Sequence, residues 1–112
     1  MDYFVRKHSD YSVISLDLIQ DGHTDYETFF TEIKNAIVTF SMVDSDTGLI
    51  KISKRKAEIC VDNNNCQITY RLNPKDVNAD GTYIGNFNIK FNSTQENLII
   101  PIREDLRIHI LK

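Results

Sequence analysis

Residues 80–92 constrain this chain more than any other stretch. After the turn Ala79-Asp80-Gly81, the odd positions are Tyr83, Gly85, Phe87, Ile89 and Phe91. The even positions are Thr82, Asn86, Asn88, Lys90 and Asn92, with Ile84 the exception. A period of two held this long builds a strand with one dry and one wet face. At about 3.3 Å per residue, such a strand crosses a small sandwich from end to end. Tyr83, Phe87 and Phe91 place it at the centre of the core. Gly85, on the same face, leaves room for a bulky neighbour or marks a bulge.

The remaining segments follow the same period. Residues 11–20 put Ile14, Leu16 and Leu18 inside, with Ser15 and Asp17 outside. Residues 35–43 send Ala36, Val38, Phe40 and Met42 inward. The turn at Asp44–Gly48 then leads into a short strand over 49–53 and a basic kink at Lys54-Arg55-Lys56. Residues 57–61 and 66–72 form a hairpin over an Asp-Asn-Asn-Asn loop. The polar link 73–80 reads as a crossover between sheets. Pro101 suits a strand end, because it cannot donate to a ladder. Leu106, Ile108 and Ile110 alternate in a closing strand.

Two segments carry aromatics outside this scheme. Residues 1–10 bring Tyr3, Phe4 and Val5 next to Arg6, Lys7 and His8, and read as a first edge strand or a docking arm. In residues 23–35, Tyr26, Phe29, Phe30 and Ile33 fall at helical spacing behind a capping box at Thr24 and Glu27. This marks either one short helix near residues 25–34 or a loop dropping aromatics into the mouth of the sandwich. Seven or eight strands with at most one helix read as an all-β, two-sheet antiparallel sandwich, with a closed barrel as the alternative.

Residues 1–112, 41% hydrophobic and 26% charged, fit a single domain with its own core. No run approaches the ~20 apolar residues of a membrane span. The first ten residues lack the apolar run of a signal peptide, so residence in a cytoplasm is the expectation. A net charge of −3 argues against a nucleic-acid partner. Cys60 shares no face with Ala57, Ile59 and Val61, whereas Cys66 shares the inward parity of Ile68, Tyr70 and Leu72. The two sulfurs are therefore expected on opposite sides, unbridged.

No catalytic, cofactor or metal motif emerges. His8, His23 and His109 stand apart from one another and from any cysteine at ligand spacing. The Asp44–Gly48 stretch has its glycine at the fifth position of a calcium-loop register and Arg55 at the twelfth, so it reads as a turn. Four glycines offer no phosphate loop. The expectation is a protein that is not an enzyme and carries no cofactor.

Once the strands are placed, one pattern stands out. A strand from Ser12 precedes Ala36-Ile-Val-Thr-Phe40 and Gly48-Leu-Ile50. Then come Gln67-Ile-Thr-Tyr-Arg-Leu72, the polar link, the strand from Gly81 to Phe91, Ile99-Ile-Pro101 and Leu106–Ile110. From about Tyr11 to Leu111 this resembles the immunoglobulin-like domain of tailed-phage virion proteins, similar to the N-terminal module of upper baseplate proteins. Its sharpest pieces are the Gly-Thr-Tyr strand and the Ile-Pro-x-x-x-x-Leu-x-Ile-x-Ile ending. The link over residues 21–35 departs from the brief loop usual in that family. The resemblance implies an immunoglobulin-like sandwich and a non-enzymatic virion module: a capsid-decorating, neck, fibre-anchoring or baseplate component. Its partners would be other virion proteins and copies of itself, with no membrane and no nucleic acid, after assembly in the host cytoplasm. Tyr3, Phe4, Val5, Tyr26, Phe29 and Phe30 are the interface candidates. The alternative is a module binding a host-surface glycan through loop tyrosines. Because Tyr11 and Tyr83 are both open to being core, that alternative rests on Tyr26.

Overall fold

The alternation seen in residues 80–92 becomes the central strand of the computed structural model. That structure describes residues 1–9, 11–18, 33–62, 65–92, 95–101 and 104–112, and of Leu18, Asp62 and Asn65 the backbone only. Nine strands lie among the described residues: β1 (Asp2–Arg6), β2 (Ser12–Leu18), β3 (Ile37–Asp44), β4 (Ile50–Lys56), β5 (Glu58–Asp62), β6 (Asn65–Leu72), β7 (Gly81–Lys90), β8 (Asn97–Ile100) and β9 (Leu106–Leu111). One sheet has the order β1-β9-β7-β3-β4, with β8 continuing the edge of β7 beyond β9. The other sheet has the order β2-β6-β5.

The two sheets face each other across one core. Tyr83, Phe87 and Ile89 of β7 are buried and Phe91 is half-buried against them. Opposite them stand Ile14 and Leu16 of β2 and Cys66, Ile68, Tyr70 and Leu72 of β6, all buried. The Phe40 ring of β3 stacks on Tyr70 of the second sheet at 4.7 Å and meets Phe87 at 4.9 Å. Gly85 makes this possible. A Cβ there would lie 2.9 Å from Phe40 Cζ and 3.1 Å from Ile108 Cδ1, so the glycine opens space for the ring and no bulge is needed.

The turn reading of Asp44–Gly48 holds in detail. Asp44 Oδ1 accepts the backbone N–H groups of Asp46 (2.8 Å) and Thr47 (3.0 Å), and Gly48 takes the positive φ of 73° that closes the turn. The link after β6 is the expected crossover between sheets and contains a 3-10 turn at Pro74–Val77. There Asp76, 3% exposed, accepts the Asn73 backbone N–H at 2.8 Å and lies 3.6 Å from the Arg55 guanidinium.

Two expectations need correction. The strands among the described residues number nine, and the larger sheet is not purely antiparallel, because β1 runs parallel to β9 from Asp2↔Arg107 to Arg6↔Leu111. These strands come from opposite ends of the chain, so no tight hairpin imposes antiparallel pairing. The basic triplet Lys54-Arg55-Lys56 does not leave the strand but completes β4, with the kink confined to Lys54 at φ 46°. The helix expected near residues 25–34 lies outside the described residues except at its end, where Ile33 and Lys34 are helical and Ile33 is fully buried.

Candidate interaction surfaces

The N-terminal aromatics are split by the pleat of β1. Val5 faces inward and is 7% exposed, part of the core between the sheets. Tyr3 is half-buried, and its hydroxyl donates to the Ser15 carbonyl of β2, tying the edge of one sheet to the edge of the other. Of the three, Phe4 alone presents a large free surface, 68% exposed. Its ring stacks on His109 of β9 at 4.8 Å, and His109 Nε2 lies 2.8 Å from Asp2 Oδ1. That hydrogen bond holds the Asp2 carboxyl below its usual range. Thr82 Oγ1 contacts the other ring nitrogen at 3.1 Å. Residues 1–6 therefore form an edge strand of the domain itself, with Phe4 as its outward handle. Tyr26, Phe29 and Phe30 lie outside the described residues.

The outer face of the larger sheet carries a row that no single strand reveals. Asp2, Arg107, Ile84 and Val43 are register partners across β1, β9, β7 and β3, and Val43 pairs with Ile50 of β4. A register irregularity between the Met42 and Val43 pairs turns Ile50 to the outer face while Ile52 stays buried. The row thus runs from a charged end to an apolar end. There Ile50 is 70% and the adjacent Leu49 71% exposed. Ile99 and Ile37 are also exposed on this sheet. Between the β8 and β3 neighbours Ile99 and Thr39, the Asn88 Oδ1 atom is buried with no hydrogen-bond partner.

Two concavities flank the second sheet. A groove of ≈ 380 Å³ runs over its outer side, between Tyr11, Thr69, Arg71, Lys56 and Glu58. Tyr11 is 74% exposed, and the Arg71 guanidinium sits 4.7 Å from its ring centroid. Of the two tyrosines left open between core and surface, Tyr83 is the core residue and donates to the Ala79 carbonyl at 3.2 Å. Tyr11 lies on the surface. A larger cleft of ≈ 620 Å³ opens on the flank where β4 passes into β5, with Lys34, Lys54 and Lys56 around apolar walls.

The thiols sit as parity required, with Cys60 exposed, Cys66 buried and both free. Burial, and then the nearby Cys60, push the Cys66 thiol up to about 11, so it is no nucleophile at neutral pH. Among the described residues, no three His, Cys, Asp or Glu side chains gather as a metal site. Among them, too, no helix is long and apolar enough to cross a membrane.

Sequence reasoning placed Phe4 but missed Ile50, Leu49 and Tyr11. Consecutive apolar residues after a turn were the available signal for Leu49 and Ile50. Their facing depends on a bulge that period-two counting passes over. No family model and no curated protein matches the chain.

Proposed function

We propose that this chain is a non-enzymatic interaction module of a bacteriophage particle, built on an immunoglobulin-like arrangement of its two sheets and assembled in the host cytoplasm. It works by docking the outer face of the larger sheet onto copies of itself or onto other virion proteins. The virion assignment is drawn from the resemblance of the strand and turn pattern between Tyr11 and Leu111. The docking role is supported by the row ending in Ile84, Val43 and Ile50, with Leu49 and Ile50 about seven-tenths exposed at its apolar end. Exposed apolar side chains gathered at one edge of a sheet call for a covering surface, and repeated contacts of this kind build symmetric assemblies. Phe4, at the opposite edge of the same face, adds a second anchor.

The test is co-sedimentation with phage particles and light scattering of the purified chain, with wild type set against an Ile50→Asp/Phe4→Asp variant. Self-association or particle binding in the wild type, lost in a variant that keeps its melting temperature, supports the reading. A wild type that stays monomeric and binds no virion component removes it.

A second reading has its own observation. Tyr11 and Arg71 border a groove that also offers Thr69, Lys56 and Glu58, a mixture of one aromatic ring and several polar groups that suits a host-surface glycan. Glycan-array binding that disappears in Tyr11→Ala with the fold intact would favour it over the docking role.

A further inference from the structure

The flank cleft arises where an edge strand changes sheets. The Ala57 N–H donates to the Val38 carbonyl at 2.9 Å, after which the chain departs, and Glu58 already pairs with Thr69 in the other sheet. The two sheets part at this point, leaving a wedge whose walls are apolar. Val38 and Ala57 are buried, and Ala36 and Ile59 are half-buried. Its rim is basic. Lys34, Lys54 and Lys56 are exposed and have no ion-pair partner among the described residues. Glu58 is the one acidic residue among the described residues that line the cleft. Alongside runs β5, which pairs with β6 alone, so that among the described residues its other edge offers unpaired backbone groups.

We propose that this cleft takes an acidic, extended segment of a partner protein, which adds as a strand to the free edge of β5. In such a segment alternate side chains point opposite ways. One set reaches the apolar walls while the other presents carboxylates to the three lysines, and the backbone pairs with β5. Charge complementarity selects the occupant. Among the described residues, three ammonium groups without an ion-pair partner against one carboxylate favour a polyanion, while the apolar walls demand hydrophobic side chains in alternation with the charges. Nucleic acid fits less well. Among the described residues that line the cleft none is aromatic and able to stack on a base, and the chain as a whole carries a net charge of −3. The five residues of β5 match an added strand of about 17 Å. This inference does not rest on the phage reading, because the cleft lies on the flank and not on the row around Ile50.

The experiment is fluorescence anisotropy with a fluorescein-labelled synthetic peptide of alternating valine and glutamate, added to the full chain. Two further probes carry the same side chains with backbone N-methyl groups, on odd residues in one and on even residues in the other. Saturable binding is expected. It should weaken about tenfold or more in the Lys34→Gln/Lys54→Asn/Lys56→Gln variant, for one N-methylated probe and not the other, and when salt is raised. Asparagine is chosen at 54 because it tolerates the positive φ of 46° there. Should that variant melt early, Lys34→Gln/Lys56→Gln serves in its place, and the N-methyl probes use the wild type in any case. Absence of saturable binding would overturn the proposal. So would equal affinity for both N-methylated probes, or an oligothymidylate that binds as tightly as the peptide.

Discussion

Gly85 shows how one missing methyl group organises the core. The Phe40 ring lies over it while stacking on Tyr70 and meeting Phe87, so it cannot retreat without breaking two aromatic contacts. Gly85→Ala is therefore expected to destabilise the protein by about 1–3 kcal/mol, the usual cost of overpacking, as measured by urea unfolding. Asp76→Ala should cost a similar about 1–3 kcal/mol, because it strips the Asn73 N–H of its acceptor and the Arg55 guanidinium of its buried partner. The two thiols will separate chemically. At pH 8 maleimide should label Cys60 alone in the folded protein and both cysteines after denaturation, as read by intact mass. Labelling of Cys66 at the same rate as Cys60 would contradict its burial.

At the scale of elements, side chains bind strands that backbone pairing alone would leave loose. β1 is an edge strand, yet Tyr3 ties it to β2, His109 holds Asp2 and Phe4, and the Arg6 guanidinium donates to the Lys112 carbonyl at 2.9 Å. The turn before β4 leans on Asp44, whose carboxyl is held below the usual range by the Thr47 and then the Asp46 backbone N–H. Asp2 is lowered as well, by the hydrogen bond from His109. Carboxyls depressed in the folded state stabilise it above their unfolded pKa, here taken as 3.8, and that contribution fades as pH falls below it. At the other extreme, burial raises Cys66, Tyr70 and Tyr83, with Asp76 adding to the effect at Tyr70 and Asp44 at Tyr83. Acids raised in this way stabilise the fold below their unfolded values of 9.0 and 10.0, and that stability is lost as pH rises through the folded ones. Melting temperature against pH should therefore be flat through neutrality, falling below about 4 and above about 9. A curve still rising from pH 9 to 11 would contradict the burial of these groups.

For the molecule as a whole, the order of strands predicts where motion resides. β7 has pairing on both edges, from β3 on one side and from β9 and β8 on the other, and its inner face is dry. Amide exchange should be slowest through Tyr83–Ile89 and the facing part of β3, and fastest in the described strands paired on one side only, β1, β2, β4, β5 and β8. Rapid exchange in β7 would mean that the two layers are not packed as described. The same order accounts for what period-two counting read and what it missed. Within β2, β3, β6, β7 and β9, the inward residues named from alternation whose side chains are described are the buried ones, because facing in a strand is a local property. The parallel partner of β1, the outward turn of Ile50 and the exposure of Tyr11 each depend on another segment, far away in the chain.

Local alternation by itself settled that the protein is all-β, which faces of its main strands are dry and why its cysteines stay apart, since side-chain direction follows from the backbone of each segment. Pairing decided the rest. The mixed large sheet, the apolar row across β7, β3 and β4, and the lysine-rimmed wedge between β3 and β5 exist only once distant strands meet in register, and register across a sheet is written in no single stretch of the chain.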